Sequence, residues 1–169
     1  MILKQHRYEI ALTRTGNRGV GTASYRSYGR DYEIRSGAKP VLAGSSDPAY
    51  RGDAARWNPE ELLLAALSAC HQLWYLHLCA DAGVTVLGYE DRAEGWITED
   101  EAGAGQFTRV LLHPHGVLAP GVDETRALAL HHEAHAKCLI ARSMNFPVAH
   151  EPVFSWRRDA FNPGSAGSV

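Results

Sequence analysis

Apolar and polar positions alternate at the start of the chain. Tyr8, Ile10 and Leu12 share one face and Glu9 and Thr13 the other, which predicts a half-buried strand. Thr15-Gly16-Asn17-Arg18-Gly19 sets two glycines around an asparagine and reads as a hairpin turn. Further strands are expected over residues 20–28 and 31–35. Residues 43–57, rich in Gly, Ser, Asp, Pro and Arg, read as a long loop. The pattern then changes to an unbroken apolar run, Leu62-Leu63-Leu64-Ala65-Ala66-Leu67, behind a marked helix start. Asn58 suits an N-cap, Pro59 the first helical position, and Glu61 stands three residues after the cap, as in a capping box. Glu60 and Glu61 oppose the positive end of the helix dipole. The helix is expected to reach about Asp81, with Gly83 just beyond it, and to be enclosed on most sides. Two strands over residues 84–98 and 106–118, a second helix from about Asp123 to at least Cys138, and a strand over 147–156 complete the reading. Strands and helices segregate along the chain, so the expected class is α+β with a mostly antiparallel sheet.

At 169 residues the chain fits one domain, expected over residues 1–160, with a frayed tail over 161–169 (NPGSAGSV from Asn162). Lys+Arg 17 against Asp+Glu 19 leaves a formal charge of −2, so a broad electrostatic grip on nucleic acid or an anionic membrane is not expected. The apolar run to Cys79 is interrupted by Ser68, His71, Gln72 and His77, and reads as a core helix rather than a membrane span. The opening MILKQHRYEI has neither the apolar stretch nor the cleavage site of a secretory signal. The expected location is therefore the reducing cytoplasm, where a disulfide is more often transient and catalytic than structural.

Three cysteines, Cys70, Cys79 and Cys138, occur without a CxxC pair. Asn58-Pro59-Glu60-Glu61-Leu62, followed by Ser68-Ala69-Cys70 ten residues after Glu60, resembles the signature of the OsmC/Ohr family (osmotically inducible protein C and organic hydroperoxide resistance protein). A second cysteine in a later helix, here Cys138 in Ala134-His135-Ala136-Lys137-Cys138, agrees with that resemblance. So does the Asn17-Arg18-Gly19 turn, which is similar to the family's arginine-bearing first hairpin. The likeness runs from about Tyr8 to Trp156. His71 departs from the pattern, standing where an aromatic or apolar residue is more usual, and Leu139-Ile140-Ala141 stands where Pro and a small polar residue are often found.

The resemblance implies an OsmC-like fold and a thiol peroxidase acting on organic hydroperoxides, with an external dithiol, small-molecule or lipoyl-type, as reductant. Cys70 would be the peroxidatic thiol, passing through a sulfenic acid, and Cys138 the resolving thiol. Arg18 would hold Cys70 as a thiolate and Glu60 would orient Arg18. No cofactor or metal is needed for that cycle. Ten helical residues span about 15 Å, so Glu60 cannot reach Cys70 along one continuous helix. An Arg18 linking the two would need a second chain or a strongly bent arrangement; an active site at the interface of an intertwined homodimer is the expectation, as the resemblance also implies.

Other readings remain open on the residues alone. Cys70 with His71, or with a spatially close histidine, could form a Cys–His nucleophile for acyl or thioester chemistry, or the helices could hold an apolar ligand without catalysis. Trp57, Trp74 and Tyr75 fit either core packing or an apolar wall for substrate. Nine histidines include His131 and His135 at i, i+4 and the alternating His113 and His115, which are ligand spacings; no HExxH accompanies them, and a polar helix face is the expectation. Cys79, about 13 Å from Cys70 along the helix, reads as a packed thiol.

Overall fold

The computed structural model describes residues 4–156, so the expected tail from 161 onward lies outside the described residues. It resolves into two compact units, one up to Leu63 and one from Leu64.

The first unit is a three-stranded antiparallel sheet in the order β1 (Ala11–Arg14), β2 (Tyr32–Arg35), β3 (Leu42–Gly44), with Leu12 opposite Ile34. The apolar face of the first strand is uncovered: Leu12 is 59% exposed and Ile10 60%. The expected half-burial is thus not met within the chain. No strand forms over residues 20–28. Gly19 and Gly21 take positive φ, the Asn17 side chain accepts from both of their N–H groups, and Ser27 Oγ bonds the Gly21 and Ser24 carbonyls. These local bonds hold the segment as a coiled loop instead of a ladder. Its base is pinched where Gly29 N–H donates to the Gly16 carbonyl at 2.8 Å. A Cβ on Gly16 would stand 2.3 Å from the Gly29 oxygen, so only glycine permits that approach. The expected long loop contains β3 and a short 3-10 turn over Pro48–Tyr50. Buried Ser45 ties it together, donating to Asp31 Oδ1 and accepting from Asp53 N–H.

The long helix α1 runs Pro59–Asp81, as its caps predict. Asn58 Oδ1 accepts from Glu61 N–H at 2.7 Å, and Glu61 returns the bond to Asn58 N–H at 3.1 Å. Each of the two long strands expected next is in fact broken, giving β4 (Val86–Asp91), β5 (Glu94–Glu99), β6 (Gly105–Leu112) and β7 (Pro114–Leu118). The physical cause is local: Pro114 lacks an N–H, and His113 N–H turns to Asp91 Oδ1 at 2.7 Å. Helix α2 (Glu124–Lys137) follows, with Asp123 as N-cap and Cys138 as C-cap. The last strand is likewise split, around Pro152, into β8 (Val148–His150) and β9 (Val153–Trp156). Two three-stranded sheets result, β4-β7-β9 and β5-β6-β8; β8 and β9 pair parallel to β6 and β7, and the other pairs are antiparallel.

The core of this unit joins α1, α2 and sheet β4-β7-β9 through Tyr75, Leu78, Cys79, Val84, Leu118, Ala127, Leu130 and Ala134. Ala127 and Ala134 present small faces that let the helices approach. Only one stripe of α1 is buried (Leu67, His71, Tyr75, Leu78 and Cys79), at helical spacing. Leu73 is 69% exposed and Ala65, Ala66 and Ala69 are exposed, so the expected enclosure on most sides is absent within one chain. By length and composition α1 alone among the described helices could cross a membrane. Its buried stripe carries a histidine that is hydrogen-bonded to protein.

Candidate active site

Cys70 lies midway along α1 and is half-buried; Cys138 ends α2 and is buried. The helix cap explains the setting of Cys138, because the chain turns there and Ala141 N–H donates to its Sγ at 3.4 Å. Burial pushes the Cys138 thiol up to about 11. The adjacent Cys70 thiol adds to that rise, and the Ala141 and Ile140 N–H groups oppose it. Two cysteines 68 residues apart in sequence are therefore neighbours, contributed by the two helices. Both are reduced. Two residues earlier on α1, Ser68 Oγ donates to Asp91, whose other oxygen holds His113 N–H, anchoring this part of the helix to the end of β4.

Beside the thiols the helices are joined by imidazoles. His71 Nε2 and His131 Nδ1 share a hydrogen bond of 2.9 Å, with both residues at most 1% exposed. The His131 ring stacks on Tyr75 at 3.6 Å between centroids. His150, on β8, packs 5.1 Å from His71, 5.1 Å from His132 and 5.2 Å from His135. Burial, reinforced by the other imidazoles, lowers His71 to about 4, His131 to about 3 and His150 to about 4, so all three are neutral at pH 7. The i, i+4 spacing of His131 and His135 thus serves packing: His131 turns inward to Tyr75 while His135 stays half-exposed. Among the described residues no three His, Cys, Asp or Glu side chains are arranged to hold a metal ion. His113 falls between β6 and β7 and contacts Glu94 at 2.8 Å. His115 contacts Glu90 and Ser155.

The remaining expected site residues lie in or next to the first unit. Arg18 sits exposed in the loop after β1 and makes no ion pair among the described residues. Arg14 lies over the Tyr28 ring, and Arg30 over Tyr25 and Tyr28 while donating to both of their carbonyls, so these two are committed elsewhere. Glu60 stands in the first turn of α1, ten residues before Cys70 on the same continuous helix. Its Oε2 is buried without a hydrogen-bond partner among the described residues. Tyr32 is raised by burial and by that carboxylate. Cys79 is a packed core thiol, raised by burial and facing the Tyr75 hydroxyl. Tyr75 belongs wholly to the core, whereas Trp74 is half-buried with Lys137 over its ring and Trp57 is 52% exposed. The histidine pair was not anticipated. Its only sequence signal was a polar residue, His71, within the apolar stripe of a buried helix.

Comparison with known proteins bears on this arrangement. The family model described as OsmC-like protein matches residues 52–152. Among solved structures, an OsmC-like protein of unknown function from Vibrio cholerae superposes with a TM-score of 0.80 at 25% identity, over 88% of this chain and 100% of that one. An organic hydroperoxide resistance protein from Elizabethkingia anophelis, with thiocyanate bound, gives 0.63 at 21% identity, over 90% and 99%. The organic hydroperoxide resistance protein of Bacillus subtilis gives 0.59 at 21%, over 86% and 98%. The last two share the fold with this chain. No curated protein matches the sequence.

Proposed function

The chain belongs to the OsmC-like family, and from that premise we propose that it is a cysteine-based peroxidase reducing organic hydroperoxides. The observation that carries the reading is the meeting of Cys70 and Cys138 at the junction of α1 and α2. The Cys70 thiolate attacks the terminal peroxide oxygen; the O–O bond breaks, the alkoxide takes a proton and leaves as alcohol, and Cys70 becomes a sulfenic acid. Cys138 then forms an S–S bond to that sulfur. The hydroxyl group departs with the Cys138 proton as water. An external dithiol exchanges with the disulfide and restores both thiols, leaving oxidised as its own disulfide. The exposures of the two cysteines suit these roles, since the half-buried Cys70 can meet substrate while the buried Cys138, held protonated, waits for an electrophilic sulfur.

Arg18 is the activating cation and Glu60 its orienting carboxylate, in a site completed across an intertwined homodimer. The unpartnered buried oxygen of Glu60 and the uncommitted Arg18 support this. The bare apolar surface of α1 around Leu73 and the uncovered face of β1 are further support for a second copy. The Cys–His alternative finds less support, because the His71 Nε2 is already bonded to His131.

The test is intact mass and peptide mapping of reduced protein after one equivalent of cumene hydroperoxide. Loss of two hydrogens with a linked Cys70–Cys138 peptide is expected. An unchanged mass would sink the proposal.

A further inference from the structure

The histidine pair stands where it can govern how the two thiols meet. His71 directly follows Cys70 on α1. His131 precedes Cys138 by seven residues, two turns of α2. Their bond is a fully buried side-chain hydrogen bond between these helices. The surrounding contacts (Tyr75, Leu78, Leu130 and Ala134) are apolar, and hydrophobic attraction is non-directional. A hydrogen bond at 2.9 Å is directional: an N–H must point at a ring nitrogen lone pair, and a shift of an ångström leaves two buried polar atoms unpaired. A buried polar pair fixing the register of packed helices is a known physical device.

We infer that the His71–His131 pair is a positioning latch, which sets the register of α1 on α2 so that Cys70 and Cys138 stand in disulfide-forming geometry. The inference rests on the reading of Cys70 and Cys138 as a redox pair, and it assigns His71 a purpose at a position where the family resemblance leads one to expect an aromatic or apolar residue. Both rings stay neutral throughout the physiological range, one donating and the other accepting, so the latch is permanently closed at neutral pH. The groups facing it are the Tyr75 ring, Tyr89 from β4, Phe154 from β9, His150 from β8 and, beyond His150, His132 and His135.

Redox titration against dithiothreitol tests the latch without any peroxide. Oxidised dithiothreitol takes one hydrogen from each thiol of the protein and is itself reduced, so the equilibrium measures the effective concentration of Cys138 at Cys70. His71→Leu and His131→Leu should each lower that effective concentration at least tenfold. The variants His71→Gln and His131→Asn keep a polar atom near the lost nitrogen and should recover most of it. Circular dichroism and thermal unfolding identify any leucine variant that fails to fold; the double variant His71→Leu/His131→Leu, which leaves no partner nitrogen buried alone, then carries the test and should show the same tenfold loss, an unchanged equilibrium overturning the latch. A residue of merely structural importance would lower the melting temperature and leave the disulfide equilibrium of the folded molecules unmoved, which overturns the latch. Failure of the wild-type disulfide to form at all also overturns it. Peroxide turnover, measured separately, decides the activity: a normal disulfide equilibrium without turnover rejects the peroxidase and keeps the latch.

Discussion

Replacing Cys70 with serine should abolish hydroperoxide consumption, whereas Cys138→Ser should permit one turnover per subunit and then accumulate sulfenic and sulfinic Cys70. Stopped-flow peroxide loss with mass analysis separates the two, and continued turnover of Cys138→Ser would remove Cys138 from the cycle. The capping box makes an independent prediction at this scale. Asn58→Ala leaves the Glu61 N–H without its acceptor and should cost about 1 kcal/mol in urea unfolding, with Asn58→Asp near wild type. The cap was legible in the chain, since it is announced by residue type and local spacing, whereas the cysteines are singled out only by the family resemblance. The orphaned Glu60 oxygen and the His71–His131 bond were not legible, because each depends on which groups from distant segments do or do not arrive beside it.

Between elements, the joint of α1, α2 and β8 gathers imidazoles that are neutral when folded. In the unfolded chain these histidines take up protons near pH 6.5, while His71 and His150 in the fold do so near 4 and His131 near 3. The unfolded state therefore binds more protons between those limits. Stability is fully present above about pH 6.5 and is lost as pH falls toward 4, by up to about 1.4 kcal/mol per pH unit for each of the two buried rings, His71 and His131. Urea midpoints at pH 7.5 and 5.0 should show this fall, and His131→Asn should flatten it; an equal slope in that variant would mean the acid sensitivity arises elsewhere. At this scale the helices were readable and the strands less so. Both helices carry caps and helical apolar spacing over many residues. The strands were expected too long, because breaks at His113-Pro114 and Pro152 depend on where each freed N–H finds an acceptor. Residues 20–28 have a strand-like composition, yet hydrogen bonds from Asn17 and Ser27 curl them into a loop.

For the whole molecule, the exposed Leu73, Leu12 and Ile10 are the measure of what one chain leaves uncovered. If Arg18 serves the Cys70 of the partner subunit, Arg18→Ala and Cys70→Ser homodimers should both be inactive. Co-refolding the two should then restore about a quarter of wild-type activity, since half of randomly formed dimers are mixed and each mixed dimer has one intact site. Sedimentation velocity would report the dimer, and absence of recovery in mixed dimers would place Arg18 and Cys70 in the same chain.

By itself the sequence determined the family, the α+β class and the long capped helix, because the NPEEL start, the segregated strand and helix patterns and the cap are each written in residue type at short range. Only the tertiary structure decided that Cys138 lies beside Cys70, that His131 bonds His71 instead of joining a surface histidine face, and that α1 buries a single stripe. Those outcomes depend on the meeting of segments tens of residues apart. Such a meeting is set by the summed packing and hydrogen bonding of the fold, which no local pattern encodes.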